Sequence, residues 1–514
     1  MSEKHRKQAT FGFGQALVAA NYIEVNLDAL NIIKGSKGKY LNIKNTQMTG
    51  QKIALQLPGF SKAVILEVKT ALNLINKIDI VTYTGTVFEQ KNSRFVLSVS
   101  AEEGLVGTIN IGKYVYNIAP TDDFSRHIVA KTNKSMIPRN PANDVVESAA
   151  FEKVIQSKQS MTKSTNSNGL VKALFYVASD VSSPYSTILN TVAEMNTILA
   201  NSQVNSNNRI SITDIVAGIS LNTTFPGKCI PNVLHEMRFR RGVFDDIDQK
   251  LQVYGADIAV TFIKGNTSSN PSHYCRVGGY AQLYGFSNNP SSPPGGSPFA
   301  VVADNYATSS GDLTAVHEIG HVLGGKEAID IRDITPNSPL YARGFNYTSS
   351  NNDFQTIMGA YGGECAFNGP TSPYLCERIA KFSNPNLQHN NITIGATNNR
   401  DMKSWLNARM AGISNWTGDP LPRPAAPILS VLSDLCYGLN NLSWNAVSTA
   451  TEYKLYKSTN LSFQNISLIY NGVNTSSFIN VGSSTWYLRV KACNAAGCGN
   501  YSNQVTASSI NSCL

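Results

Sequence analysis

Two histidines four residues apart, with a glutamate beside the first, are the residues in this chain whose types and spacing point most directly to chemistry. They stand in Gly311-Asp-Leu-Thr-Ala-Val-His-Glu-Ile-Gly-His-Val-Leu-Gly-Gly. On a helix, His317 and His321 lie one turn apart, so both imidazoles leave the same face and can hold one metal ion. Glu318 is then placed to take a proton from a water that zinc acidifies toward a pKa of ~7, making it a nucleophile for an amide carbonyl. The plainer reading is two helix-surface histidines with no metal. Apolar Val316, Ile319, Val322 and Leu323 around the pair weigh against it, as do helix signals at both ends. Asp312 is expected to cap the helix start, and Gly324-Gly325 to end it.

The elements that must carry this helix follow from hydrophobic period. Val171-Lys-Ala-Leu-Phe-Tyr-Val-Ala reads as a buried strand, and residues 187–199 place apolar side chains at helical spacing. Further strands are expected at Arg209–Gly218 and Ala256–Ile263, with a helix near Val243–Val253 between them. That alternation implies a mixed α/β domain. Upstream, residues 21–120 alternate with period two in short stretches such as Lys52–Leu57, Ile78–Gly85, Arg94–Ser100 and Gly107–Ile111, which predicts a compact antiparallel β domain. Lys134–Asn168 is polar and aperiodic and reads as an exposed connector.

Several segments in order resemble the metzincin zinc peptidases. His317-Glu-Ile-Gly-His-Val-Leu-Gly resembles their extended motif, and Gln355-Thr-Ile-Met-Gly-Ala-Tyr resembles their Met-turn, with Met358 expected beneath the metal ligands. Lys381-Phe-Ser-Asn-Pro-Asn and Cys275-Arg-Val-Gly-Gly-Tyr-Ala resemble segments of the reprolysin-like branch, the latter its edge-strand region. The resemblance implies a zinc cofactor bound by His317, His321 and a third ligand, Glu318 as general base, and substrate laid along Gly279, Tyr280 and Ala281. Where that family places His or sometimes Asp as third ligand, this chain has Glu327; Asp330 and Asp333 follow closely and stay open as alternatives, as does a site lacking a third ligand. His389 is expected to be a surface loop residue, and Tyr361 stands one residue further past Met358 than in the reprolysin-like pattern. The N-terminal β domain resembles metzincin propeptides, which help folding and cover the cleft. Residues 424–508 resemble a fibronectin type III module, with Leu442-Ser-Trp444, Glu452–Tyr456 and Trp486–Ala492 as its strands.

The bulk numbers fit that reading. With 514 residues the chain needs more than one core, and 15% charged residues with 22 tyrosines suit a strand-rich extracellular protein. The +9 net charge is local: residues 1–160 hold 20 Lys and Arg against 13 Asp and Glu, scattered and not striped. A solvated surface, or a face docking on a more acidic neighbour, explains this more simply than phosphate binding, so no nucleic acid is expected. The eight cysteines begin at Cys229, which excludes a propeptide thiolate on the metal, and their even distribution predicts disulfides in an oxidising compartment. Lys4, Arg6 and Lys7 before Ala9–Ala20 make a poor signal peptide, yet a secreted protein is expected; no run of ~20 apolar residues predicts a membrane span. The expected architecture is multidomain: an N-terminal antiparallel β domain (1–135), a linker (136–168), an α/β metzincin catalytic domain (169–419) with a mixed sheet and active-site helix, and a C-terminal β-sandwich (424–510). The expected function is zinc-dependent endopeptidase, made as a zymogen and acting on protein or peptide substrates, with surface or carbohydrate contact open to the C-terminal module. The competing expectation is an inactive homologue serving as an adhesion or binding protein.

Overall fold

The computed structural model describes residues 17–24, 32–34, 40–43, 52–72, 80–100, 103–121, 126–134, 169–221, 229–265, 278–282, 298–304, 313–328, 342–348, 353–359, 376–397, 399–414, 417, 421–433 and 439–508. They fall into two units, Met1–Ile247 with Ala256–Gly418, and Asp248–Gly255 with Asp419–Leu514.

The first unit opens with β1 (Leu17–Glu24), β2 (Ile32–Lys34), β3 (Tyr40–Ile43), β4 (Lys52–Leu55), β5 (Val64–Leu72), β6 (Ile80–Val87), β7 (Arg94–Ser100), β8 (Gly104–Ile111), β9 (Tyr114–Pro120) and β10 (Arg126–Asn133). Eight of these form one sheet in the order β1-β10-β9-β8-β7-β6-β5-β4, and β2 pairs with β3. All its neighbours are antiparallel, as period-two patterning requires. Val81, Tyr83, Phe95, Leu97, Ile109, Tyr116 and Ile118 put one face into an apolar core. The alternate residues Thr82, Ser98, Thr108, Asn110 and Asn117 are equally buried on the other face.

That second face is covered in part by the first helix of the next region. The region comprises β11 (Leu170–Ala178), α1 (Pro184–Asn201), β12 (Arg209–Ile219), α2 (Ile230–Arg238), α3 (Ile247–Tyr254), β13 (Ile258–Ile263), β14 (Gly279–Ala281), β15 (Phe299–Ala303), α4 (Thr314–Val322), β16 (Asn346–Tyr347), β17 (Phe354–Gln355), β18 (Glu377–Arg378), β19 (Asn384–His389), β20 (Ile392–Ile394) and α5 (Met402–Ile413), except that α3 beyond Ile247 belongs to the second unit. Ser98 donates to Asn190 of α1 at 2.8 Å, Asn190 donates to the Val106 carbonyl at 3.2 Å, and Arg94 pairs with Glu194 at 3.0 Å. The α1 N-cap, Ser183, sits in the left-handed region and supplies no side-chain acceptor. Glu103, from the N-terminal sheet, accepts from the Tyr185 and Ser186 amides at 3.1 and 2.7 Å instead, satisfying first-turn donors that a helix leaves open. Lys134 reaches Glu377 at 3.2 Å. In both ion pairs the cation belongs to the N-terminal part.

A five-stranded sheet, ordered β12-β11-β13-β15-β14, backs the histidine helix. Its strands are parallel except β14, which runs antiparallel to β15 and forms one edge. All six β13 residues are buried, the signature of a strand covered on both faces. The expected helix near Val243 begins only at Ile247, because Gly242–Phe244 makes a separate 3₁₀ turn. Helix α2, with Ile230, Val233, Leu234 and Met237 buried at helical spacing, adds an element beyond the expected strands and helices. No described helix is long and apolar enough to cross a membrane.

The second unit carries β21 (Leu429–Ser433), β22 (Leu439–Trp444), β23 (Glu452–Ser458), β24 (Ser467–Gly472), β25 (Ser476–Asn480), β26 (Trp486–Asn494), β27 (Gly497–Cys498) and β28 (Val505–Ala507). They form two sheets, β21-β22-β25 and β24-β23-β26-β27 with β28 beside β26. Leu442, Trp444, Tyr453, Leu455, Leu488 and Val490 meet between them, the packing of a small β-sandwich. Cys493 and Cys498 are joined by a disulfide across the β26–β27 pair.

Candidate metal centre

Every residue of α4 from Thr314 to Val322 is buried, so this helix is a core element. Its N-cap is Leu313, at φ 62° and without a side-chain cap, while Asp312, the expected cap, lies outside the described residues. The other end matches expectation. Gly324 turns the chain at φ 84°, its amide donating to His321 O and that of Gly325 to Gly320 O, both at 2.8 Å. The Trp405 indole of α5 donates to the Leu323 carbonyl at 3.0 Å.

Both histidines are fixed in tautomer and direction by main-chain carbonyls. Nδ1 of His317 lies 2.6 Å from Ile357 O, and Nδ1 of His321 lies 2.8 Å from Gly325 O. A carbonyl only accepts, so each Nδ1 holds the ring proton and each Nε2 presents a lone pair. The two Nε2 atoms face each other at 3.1 Å with the rings 86° apart. Facing lone pairs repel unless positive charge lies between them. Two nitrogens ~2.0–2.1 Å from one tetrahedral ion would stand roughly 3.3 Å apart, close to this spacing.

Glu327 completes the cluster: ligand atoms of His317, His321 and Glu327 all lie within 4.8 Å of one another. Its Oε1 is 3.7 Å from His317 Nε2. The chain around it is pinned on both sides. Lys326 N donates to Ala342 O at 2.7 Å, Gly344 N to Lys326 O at 3.0 Å, and Ala328 N to Met358 O at 2.9 Å. Asp330, Asp333 and Tyr361 lie outside the described residues. His389 is in β19, half-buried with its ring 4.8 Å from that of Phe354, and burial lowers its pKa; it is not grouped with the ligands.

Glu318 is fully buried on the same helix. Edge strand β14 runs beside it so closely that a side chain at Gly279 would enter the space of its carboxylate. Tyr280, one residue on, faces the opposite side of the strand. Met358 is fully buried with its sulfur against Gly320, between the two histidines in sequence. His317, Glu318 and His321, singled out by spacing, are thus brought together with Glu327, Met358 and Gly279, singled out by the resemblance. Sequence reasoning missed the Ile357 and Gly325 carbonyls that aim the rings, since a backbone acceptor has no residue-type signature.

No protein-family model matches the chain. A peptidyl-Asp metalloendopeptidase of Xanthomonas campestris pv. campestris is 24% identical over 320 residues, covering 62% of this chain and 68% of its own. A distant homologue is therefore a metalloendopeptidase. Among solved structures, an Fn3-like protein from Clostridium thermocellum is 23% identical over 18% of this chain and 100% of its own, with a TM-score of 0.16. The sixth fibronectin type III domain of a human fibronectin type III domain containing protein is 21% identical over 18% of this chain and 89% of its own, also at TM-score 0.16.

Proposed function

We propose that this chain is a secreted, zinc-dependent endopeptidase of the metzincin type, in its reprolysin-like branch. The observation that carries the proposal is the convergence of two Nε2 lone pairs and one carboxylate within 4.8 Å, with Glu318 buried alongside. Two imidazoles and a carboxylate suit zinc better than the all-oxygen sets of magnesium or calcium. His317, His321 and Glu327 would hold it, and when bound it supplies Lewis acidity toward water and a peptide carbonyl. The metalloendopeptidase name of the distant relative supports the same chemistry.

The protein's own part is proton handling and placement. A Glu318 carboxylate oxygen takes the proton of the attacking water and later delivers it to the nitrogen of the leaving amine. Both transfers profit from burial, which keeps solvent protons out. Among the described residues β14 ends its sheet, and an extended peptide would add to its main-chain groups as a further strand and bring its scissile carbonyl past Glu318. The N-terminal sheet is read as a propeptide-like domain of a zymogen, and the C-terminal sandwich as a fibronectin type III module that contacts a surface or carbohydrate.

Metal content and hydrolysis of casein, measured for wild type and Glu318→Gln, test this reading. Wild type should contain one zinc per chain and cleave; the variant should keep the zinc and lose at least ~100-fold in rate. Wild type that holds no zinc and cleaves nothing after N-terminal processing would leave the adhesion or binding role as the better account.

A further inference from the structure

Gly279 lies on the short edge strand, and its backbone does not demand glycine, since it is absent from the glycines with positive φ. Space demands it. A methyl group here would stand 2.5 Å from Cγ, 2.7 Å from Oε1 and 2.8 Å from Cδ of Glu318. All three nearest atoms belong to that one side chain, and none is backbone. Gly344 makes the contrast: a methyl there would strike the Met358 main chain, so that glycine serves the chain path.

Neither element can retreat easily. The Ala303 amide donates to Gly278 O at 2.9 Å and the Gln282 amide to Phe299 O at 3.0 Å, tying β14 to β15 at both ends. Opposite, α4 is wholly buried and held through Leu323 by Trp405. What yields to a side chain at 279 is therefore the far end of Glu318, which can swing about its own torsions without moving the fold.

We infer that Gly279 is a positioning residue whose bare backbone sets where the Glu318 carboxylate lies. The inference rests on Glu318 being the base proposed above. It goes beyond substrate pairing, because it gives the edge strand a task on its inner face. Misplacement of a reacting group by ~1 Å can cost about 100-fold in rate, so Gly279→Ala is expected to lower kcat by about that factor. If substrate adds to the outer edge of β14 as proposed, the loss should fall mainly on kcat and less on KM.

Two readouts independent of turnover separate failure of this inference from failure of the functional reading. In a crystal structure of metal-free Gly279→Ala, the Glu318 carboxylate should lie at least ~1 Å from its wild-type place, with β14 and α4 unmoved. Should Gly279→Ala fail to fold, the double variant with Glu318→Ala should fold, because the colliding atoms are gone. If wild type proves unable to hydrolyse peptides, the function falls while the displaced carboxylate still supports the positioning role. An unmoved carboxylate, a wild-type kcat in an active enzyme, or a double variant as misfolded as the single one overturns it.

Discussion

At the residue scale, Glu327 is the position with most at stake. Truncating it to alanine should weaken zinc binding by at least ~100-fold in chelator competition, with the fold intact. Unchanged affinity would assign the third ligand elsewhere. Two residues away from the centre govern acid behaviour in opposite directions. Burial lowers the His127 pKa from 6.5 to about 4, while its Nε2 accepts from the Leu105 amide at 2.9 Å. The folded state then prefers the neutral ring, so about 3 kcal/mol present above pH 6.5 is lost as pH falls toward 4. Burial raises Asp257 from 3.8 to about 6, although the Lys172 amide and Thr417 hydroxyl donate to it. Here the folded state prefers the protonated acid, so a contribution of similar size, present below pH 3.8, is lost as pH rises toward 6. Urea midpoints between pH 4 and 7 should therefore rise more steeply with pH in Asp257→Asn, and less steeply or not at all in His127→Gln. Parallel profiles in the two variants would contradict these assignments. His317, Glu318 and His321 were legible because a helical period converts sequence spacing into a shared face. Glu327 was legible only as a candidate, since its reach depends on backbone pins at Lys326 and Ala328 made by segments far along the chain.

At the element scale, the helix that carries both histidines ends on a glycine in a conformation other residues adopt only with strain. Gly324→Ala should cost about 1–2 kcal/mol, since φ stands at 84° and the added methyl would lie 3.0 Å from the Trp405 ring. Denaturant unfolding measures this, and a loss under ~0.5 kcal/mol would show the turn relaxing freely. Strand positions were largely readable, as alternation in Arg94–Ser100 and the apolar run of Leu170–Ala178 translate directly into one-faced or two-faced burial. The helix starts from a left-handed Leu313 without a side-chain cap, an arrangement that carries no residue-type signal. Helix α2 follows the period that apolar residues impose, but Pro231 and the Arg-rich end beyond it mask the signal.

At the scale of the whole molecule, the two units should melt separately. With the proposed zinc bound, its removal by chelation should lower the transition of the unit carrying His317, His321 and Glu327, by about 4 kcal/mol where free zinc had stood at 1,000 times its Kd. The sandwich transition should stay in place, which calorimetry with and without chelator can check. Contacts such as Ser98–Asn190 and Arg94–Glu194 span 92 and 100 residues, and no local pattern announces which strand face meets which helix. Charge excess suggested docking, not its place. The cap that Glu103 provides for α1 has a consequence for assembly. The first turn of that helix draws two of its acceptors from a segment some eighty residues upstream, so its N-terminus is fully satisfied only when the two parts are in contact. Slow deuterium uptake at the Tyr185 and Ser186 amides would record the two parts in contact, and rapid uptake there would time their parting.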